Sequence, residues 1–301
     1  MDTTSGFPLV QQLPPDWGVL DQDYSVDILR LDLIHPVISG NKSFKLKYNL
    51  RYALENGYKA ILTFGGAYSN HLHATAAAAA QVNLPAIGLI RGHHADGILT
   101  ETLKDCQELG MELKFLSRET YAQKADPEFL RQLSVEYPDT FIIPEGGANQ
   151  QGREGASEIA DLIPQGYTHT CVSVGTGTTF IGLRNALPVS QSLLGFVPMK
   201  HGAYLHDSIQ SHLIPGKDTN WQLFDRYHFG GFAKTTSELL SFMNTFYTRI
   251  GIPLDVVYTS KMFYGIRDLI QKDFFPASAK ILAVHTGGLQ GNHSVRARLI
   301  Y

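Results

Sequence analysis

The chain has 301 residues, 44% of them hydrophobic, and carries a net charge of −3, so it is long enough for one large core or two smaller ones. A pI near 6.4 without a basic patch argues against nucleic acid as a partner, and two cysteines are too few for a disulfide framework, which points to a reducing cytoplasm. Met1-Asp2-Thr3-Thr4-Ser5 has neither basic residues nor an apolar stretch and reads as no signal peptide; the longest apolar run, 74–80, is too short to span a membrane.

Taken in order, residues 8–34 read as short extended segments, the clearest being the alternating 24–31. Gly40-Asn41 reads as a turn, because glycine adopts positive φ freely and asparagine tolerates it. A helical pattern of Phe44, Leu46, Leu50 and Leu54 follows. Strand 59–64 breaks at Gly65-Gly66-Ala67-Tyr68-Ser69-Asn70, and an alanine-rich helix covers 71–81. Next come strand 85–90, the loop pair His93-His94, helix 99–109, strand 111–116, helix 127–136 and strand 140–143, which ends at Pro144-Glu145-Gly146-Gly147. The second half continues with helix 152–162, strand 170–174, helix 180–187 and strand 193–199. An irregular 201–232, helices 237–248 and 261–272, and strand 280–285 complete it. This alternation predicts an α/β protein whose parallel strands are covered by helices. Cys171 lies in an apolar strand and reads as a buried thiol.

Ligands of open parallel sheets collect outside the carboxyl ends of the strands. Four such ends carry glycine clusters, at 65–66, 146–147, 175–177 and 287–288. Gly175-Thr176-Gly177-Thr178-Thr179 lies between a strand and a helix, where free N–H groups and hydroxyls suit a phosphate; an ordinary tight turn is the alternative. It lacks the Gly-Lys-Ser/Thr ending of a P-loop, and Phe180 replaces the third glycine of a dinucleotide fingerprint. Ser69-Asn70-His71 is either a plain helix cap or an oxyanion site with Ser69 as its handle. Ser69 lacks the Gly-x-Ser-x-Gly setting of a nucleophile elbow, which sets a hydrolase aside. His71 and His73 do not share a helix face, so no metal site is read. Tyr258 fits a core position or a proton-handling one. Lys42 stands where a turn hands over to a helix; partly desolvated there, its neutral amine would attack a carbonyl, whereas a solvated surface lysine would not.

Together, Gly40-Asn41-Lys42, Gly65-Gly66-Ala67-Tyr68-Ser69-Asn70, Pro144-Glu145-Gly146-Gly147, Gly175-Thr176-Gly177-Thr178-Thr179, Val257-Tyr258-Thr259 and His285-Thr286-Gly287-Gly288 resemble one family in order and spacing. It is the pyridoxal-phosphate (PLP) family of D-cysteine desulfhydrase and 1-aminocyclopropane-1-carboxylate (ACC) deaminase, of the tryptophan synthase β-like fold type II. The resemblance covers residues 35–292. It implies two open parallel-sheet α/β domains with the cofactor in their cleft: a large domain of 1–46 and 147–301, and a small one of 47–146. It implies Lys42 as the Schiff-base lysine, Asn70 at the ring hydroxyl, Gly175, Thr176, Gly177, Thr178 and Thr179 at the phosphate, Thr259 at the pyridine nitrogen, and Thr286 beside the cofactor. Ser69, Asn70, His71 and Tyr258 would face the substrate, with Ser69 acting as acid/base, nucleophile or carboxylate ligand, and Lys42, Ser69 and Tyr258 counted as catalytic. A cytoplasmic homodimer acting on a small amino acid is the implied setting.

The departures discriminate between branches. Thr259 and Thr286 stand where the deaminase branch resembles itself by Glu and Leu, and Phe232 stands where a tyrosine is expected. The implied activity is β-elimination from D-cysteine to keto acid, ammonia and sulfide; ACC deamination and a non-catalytic PLP-binding protein are the alternatives.

Overall fold

The computed structural model describes residues 9–14, 17, 24–92 and 99–301. Met1 to Ser5 and the His93-His94 pair lie outside the described residues. The strands are β1 (Val10–Gln12), β2 (Ser25–Arg30), β3 (Ala60–Gly65), β4 (Ala86–Arg91), β5 (Met111–Leu116), β6 (Thr140–Ile143), β7 (His169–Ser173), β8 (Ser192–Phe196), β9 (Trp221–Phe224) and β10 (Lys280–His285). The helices are α1 (Asn41–Glu55), α2 (Asn70–Gln81), α3 (Glu101–Glu108), α4 (Arg118–Ala122), α5 (Pro127–Glu136), α6 (Gln150–Ser157), α7 (Thr178–Ala186), α8 (Tyr204–Gln210), α9 (Ser237–Ile250) and α10 (Thr259–Gln271). Among the described residues no helix is long and apolar enough to cross a membrane.

The chain divides into two compact units: Met1–Ile34, Ser39–Asn41 and Ala156–Tyr301 form the first, and His35–Ile38 with Lys42–Gly155 the second. The first holds a six-stranded sheet in the order β1-β2-β10-β7-β8-β9, parallel except for β1. The second holds a parallel four-stranded sheet in the order β5-β4-β3-β6. Their central strands are continuous buried runs, such as Thr170 to Ser173 and Ile61 to Gly65, as a sheet covered on both faces requires. In the first unit Trp17 packs edge-to-face on Phe246 and Phe263, with centroids 6.0 and 6.2 Å away.

The units part at 41/42 and 155/156, whereas the expected boundaries were 46/47 and 146/147. The reason is packing: Leu46, Leu50 and Ala53 of α1 bury in the second unit's core. Gly155 of α6 lies so close to α1 that a Cβ there would sit 2.1 Å from the Phe44 carbonyl oxygen. The stretch 201–232, expected to be irregular, contains α8 and β9. Both owe their form to tertiary contacts, since α8 buries only Leu205 and Ile209 and β9 pairs with β8 alone among the described residues. The short α4, capped by Ser117 accepting from the Thr120 N–H at 3.0 Å, was not expected either. The expected helix 152–162 passes into a 3-10 turn at Glu158.

Strand order locates the ligand side of each sheet. From β3 the chain runs outward through β4 to β5, while β6 joins on the other flank; from β7 it runs through β8 to β9, while β10 joins on the other flank. Strand order therefore reverses at β3 and at β7, where open α/β sheets bind ligands. The loop after β3 carries Gly65 to Asn70 and the loop after β7 carries Gly175 to Thr179. The parallel neighbours β6 and β10 end on the same sides, at Gly146-Gly147 and Gly287-Gly288.

Helix α2 is buried on every side from His71 to Ala79, so its alanine run reflects lack of space as well as helix propensity. Ala76→Leu should overpack this helix and lower stability by ~1–3 kcal/mol. A thermal melt checks it; an unchanged Tm would mean that α2 is not enclosed.

Candidate active site

The turn before α1 has a single geometric solution. Gly40 adopts φ +69°, and a Cβ on it would lie 1.7 Å from the Thr286 carbonyl oxygen, so only glycine fits. Its N–H donates to the Leu31 carbonyl at 3.1 Å, and the Asn41 N–H donates to the Thr286 carbonyl at 3.2 Å. The buried Asn41 side chain donates from Nδ2 to Thr179 Oγ1 at 2.8 Å. The residue before Lys42 is thereby tied to both the loop after β10 and the first turn of α7. Behind this contact, His285 Nδ1 accepts from the Gly287 N–H at 3.2 Å and Nε2 donates to the Pro253 carbonyl at 2.9 Å. Burial keeps the His285 pKa below the usual histidine value, against the Asp32 carboxylate, which lies 3.3 Å from Nδ1 and favours the charged ring.

The start of α7 differs from that of five other helices. Ser69, Thr100, Ser117, Asp126 and Thr236 cap α2, α3, α4, α5 and α9 with their own side chains. The α7 N-cap is Gly177 at φ +83°, with no side-chain cap. The first N–H groups of α7 thus keep their capacity for an external acceptor. Ser173 Oγ, at the end of β7, is buried without a hydrogen-bond partner. The Thr176 and Thr178 hydroxyls lie 2.8 Å apart and supply further donors. A Cβ on Gly175 would lie 3.2 Å from the Tyr258 ring. Uncapped amides, hydroxyls and absent side chains fit a phosphate dianion.

A reciprocal cap orders the next segment. Asp255 Oδ1 accepts from the N–H groups of Val257 at 3.1 Å and Tyr258 at 2.5 Å, while Thr259 Oγ1 accepts from the Asp255 N–H at 2.7 Å. Burial pushes the Asp255 carboxyl up to about 7, against the backbone donors that favour its charge. Thr259 is fully buried with its hydroxyl engaged on Asp255, and Tyr258 is half-buried. The exposed Phe232 ring meets Tyr258 edge-to-face at 5.9 Å. Thr286 contributes its carbonyl to the Gly40-Asn41 turn.

In the second unit, Lys42 lies half-buried in the first turn of α1. Lys45, three residues on, is buried and donates to the Gly146 carbonyl at 3.1 Å. Its pKa falls well below the ordinary lysine value through burial, then through the charge of Lys42. His71 is buried behind the loop after β3. Its Nε2 donates to Thr63 Oγ1 at 2.9 Å, its Nδ1 has no hydrogen-bond partner, and burial pushes its pKa well down. Ser69 Oγ accepts from the Leu72 N–H at 3.2 Å as the N-cap of α2, and Asn70 begins that helix, half-buried. His73 Nε2 lies 3.6 Å from the Asp105 carboxylate.

Sequence reasoning missed Lys45, Asp255 and Lys261. Two of them carried a signal: Lys45 shares a helix face with Lys42, and Asp255 interrupts the apolar run Leu254 to Val257. Asp255 gives a pH test. In the unfolded chain it titrates near 3.8 and in the folded chain near 7, so between those values the folded form holds the proton more tightly. Its contribution to stability therefore falls as pH rises through that window, by ~1.4 kcal/mol per unit of pKa difference. Asp255→Asn keeps an acceptor for the two N–H groups and removes the titration. Its Tm relative to wild type should climb from pH 4 to pH 7; a constant difference would contradict the account.

Comparisons with known proteins identify the family. A family model described as pyridoxal-phosphate dependent enzyme matches residues 20–287. A Pyrococcus horikoshii protein provisionally named a 1-aminocyclopropane-1-carboxylate deaminase is 30% identical over 98% of this chain and 96% of its own. The Arabidopsis thaliana bifunctional D-cysteine desulfhydrase/1-aminocyclopropane-1-carboxylate deaminase, mitochondrial, is 29% identical over 88% of this chain and 72% of its own. A crystal structure of an ACC deaminase homologue superposes with a TM-score of 0.82 at 29% identity, covering 96% of this chain and 92% of the other.

Proposed function

The chain belongs to the pyridoxal-phosphate dependent enzymes, in the D-cysteine desulfhydrase/ACC deaminase family of fold type II, and from that premise we propose a D-cysteine-desulfhydrase-like β-elimination releasing sulfide, ammonia and a keto acid. The coarser statement, a PLP-dependent lyase or deaminase reaction, follows from the family itself. Within the proposal Lys42 carries the cofactor, the loop Gly175 to Thr179 holds its phosphate, and Asn70 meets its ring hydroxyl. The cofactor, when bound, supplies the electron sink that makes a substrate α-proton acidic.

This chain's own residues then have assignable tasks. Lys42 Nζ, freed as a neutral amine once the substrate amine has displaced it, would take the proton from the substrate α-carbon. Ser69 Oγ already accepts the Leu72 N–H, which turns its own O–H outward to donate to a substrate carboxylate. The start of α2 adds its partial positive charge to the same anion. The Tyr258 phenol orients the departing group and gives it a proton. Phe232 carries no hydroxyl and can only exclude water and shape the space.

The observation that carries the reading is Thr259. It is fully buried and neutral, its Oγ1 accepts the Asp255 N–H, and it brings no carboxylate to the position where the deaminase branch has one. A pyridine ring facing a neutral hydroxyl draws electrons less strongly than one paired with a carboxylate. Opening a cyclopropane ring needs that pull; expelling sulfur, which is stable as a thiolate or after one protonation, needs less. Each tenfold in rate is about 1.4 kcal/mol of barrier, so a modest loss separates the two reactions.

Assaying both substrates on fully PLP-loaded protein tests this. Sulfide and pyruvate from D-cysteine should exceed 2-oxobutyrate from ACC by at least about tenfold in kcat/KM. ACC turnover equal to or above that of D-cysteine would favour the second reading, deamination, which the Pyrococcus relative's name supports.

A further inference from the structure

Lys261 lies in the first turn of α10, 1% exposed, between the buried Ser260 and Met262. Its Nζ donates to three carbonyls, those of Gly231 at 2.8 Å, His228 at 2.9 Å and Pro198 at 3.2 Å. An ammonium has three donors, and all are used. A buried charge is rarely the most stabilising choice at an enclosed position, and an apolar chain of the same length would fill this one. Burial already draws the pKa of Lys261 down to about 8. A lysine at this position calls for a reason in what it holds.

What it holds is a strained segment. Phe229, Gly230, Gly231 and Ala233 have φ of +49°, +96°, +127° and +54°. Phenylalanine and alanine enter that region only when the surroundings impose it. The segment's own bonds are few: Gly231 N–H to the His228 carbonyl at 3.0 Å, Lys234 N–H to the Gly231 carbonyl at 3.1 Å, and Gly230 N–H to His228 Nδ1 at 3.0 Å. The residue it presents, Phe232, is 51% exposed, so core burial does not explain its position. Its ring stands at 71° to that of Tyr258. Tyr258 is the N-cap of the helix that carries Lys261, so the tether and the aromatic pair share one helical turn.

We propose that Lys261 is a positioning residue: through the Gly231 and His228 carbonyls it holds Phe232 against Tyr258, and that aromatic pair limits the bulk of substrate side chain the enzyme accepts. The selectivity half rests on the reading of Tyr258 as an active-site residue; the tether does not.

Two measurements separate these halves. Hydrogen exchange on the cofactor-free protein reads the tether. Apparent Kd from the visible absorbance of the PLP-loaded protein reads selectivity, with D-2-aminobutyrate and D-norleucine as probes, both apolar, both without a β-leaving group and differing in chain length. Lys261→Met should speed exchange across residues 228–234 by about tenfold or more while leaving the sheet strands unchanged. It should also narrow the affinity ratio of the small to the bulky probe by about tenfold. Phe232→Ala should narrow the ratio equally with Lys261 in place, and Lys261→Arg, which keeps charge and donors, should return it toward wild type. Wild-type exchange in Lys261→Met overturns the tether. An unchanged ratio in Phe232→Ala overturns the selectivity role, even if Lys261→Met does not fold. If neither probe perturbs the wild-type absorbance, the claim that the aromatic pair sorts side chains of bound amino acids is overturned, while exchange still decides the tether.

Discussion

The contact on which the site depends is the one between the Gly40-Asn41 turn and its neighbours within the first unit. Gly40 presses against the Thr286 carbonyl with no room for a Cβ, the Asn41 N–H bonds that same carbonyl, and the Asn41 side chain bonds Thr179 Oγ1. Three loops separated by more than a hundred residues are fixed by one glycine and one asparagine. Lys42 is the next residue. It is the lysine proposed to hold the cofactor, and it follows directly on this fixed turn in the chain.

The same economy recurs at the start of α10. Asp255 and Thr259 satisfy each other's segment reciprocally and set the backbone of Tyr258, and Lys261 gathers three carbonyls one turn later. Each is a buried polar group whose partners are mostly backbone, so each orders a loop as well as filling space. By contrast α7 begins without a cap. Five other helices spend a serine, threonine or aspartate on their own amides; here a glycine leaves those amides able to meet a ligand.

Much of the fold was legible because parallel sheets covered on both faces write themselves as short apolar runs, and glycine clusters mark where those runs end. Strands such as 170–174 and 280–285 carry that signature without ambiguity. The alternation did not reveal α8, β9 or α4. Those elements are short, bury few residues and exist because neighbouring structure supports them, so local pattern holds little trace of them. The unit boundaries shifted for a related reason: apolar spacing identifies α1 as amphipathic but does not say which core receives Leu46 and Leu50. Motifs nominated Lys42, Ser69, Asn70 and the 175–179 loop as candidate site residues. Lys45 and Asp255 left only a weak trace and Lys261 none, because charged side chains are expected at the surface and only the fold reveals that these three are enclosed.

The account stands or falls on Lys42. Borohydride reduction of the PLP-loaded protein, followed by peptide mapping, fixes the cofactor to whichever lysine holds it. The account predicts the label on Lys42. A label on Lys45 or Lys47, or none on protein shown to contain PLP, would contradict it.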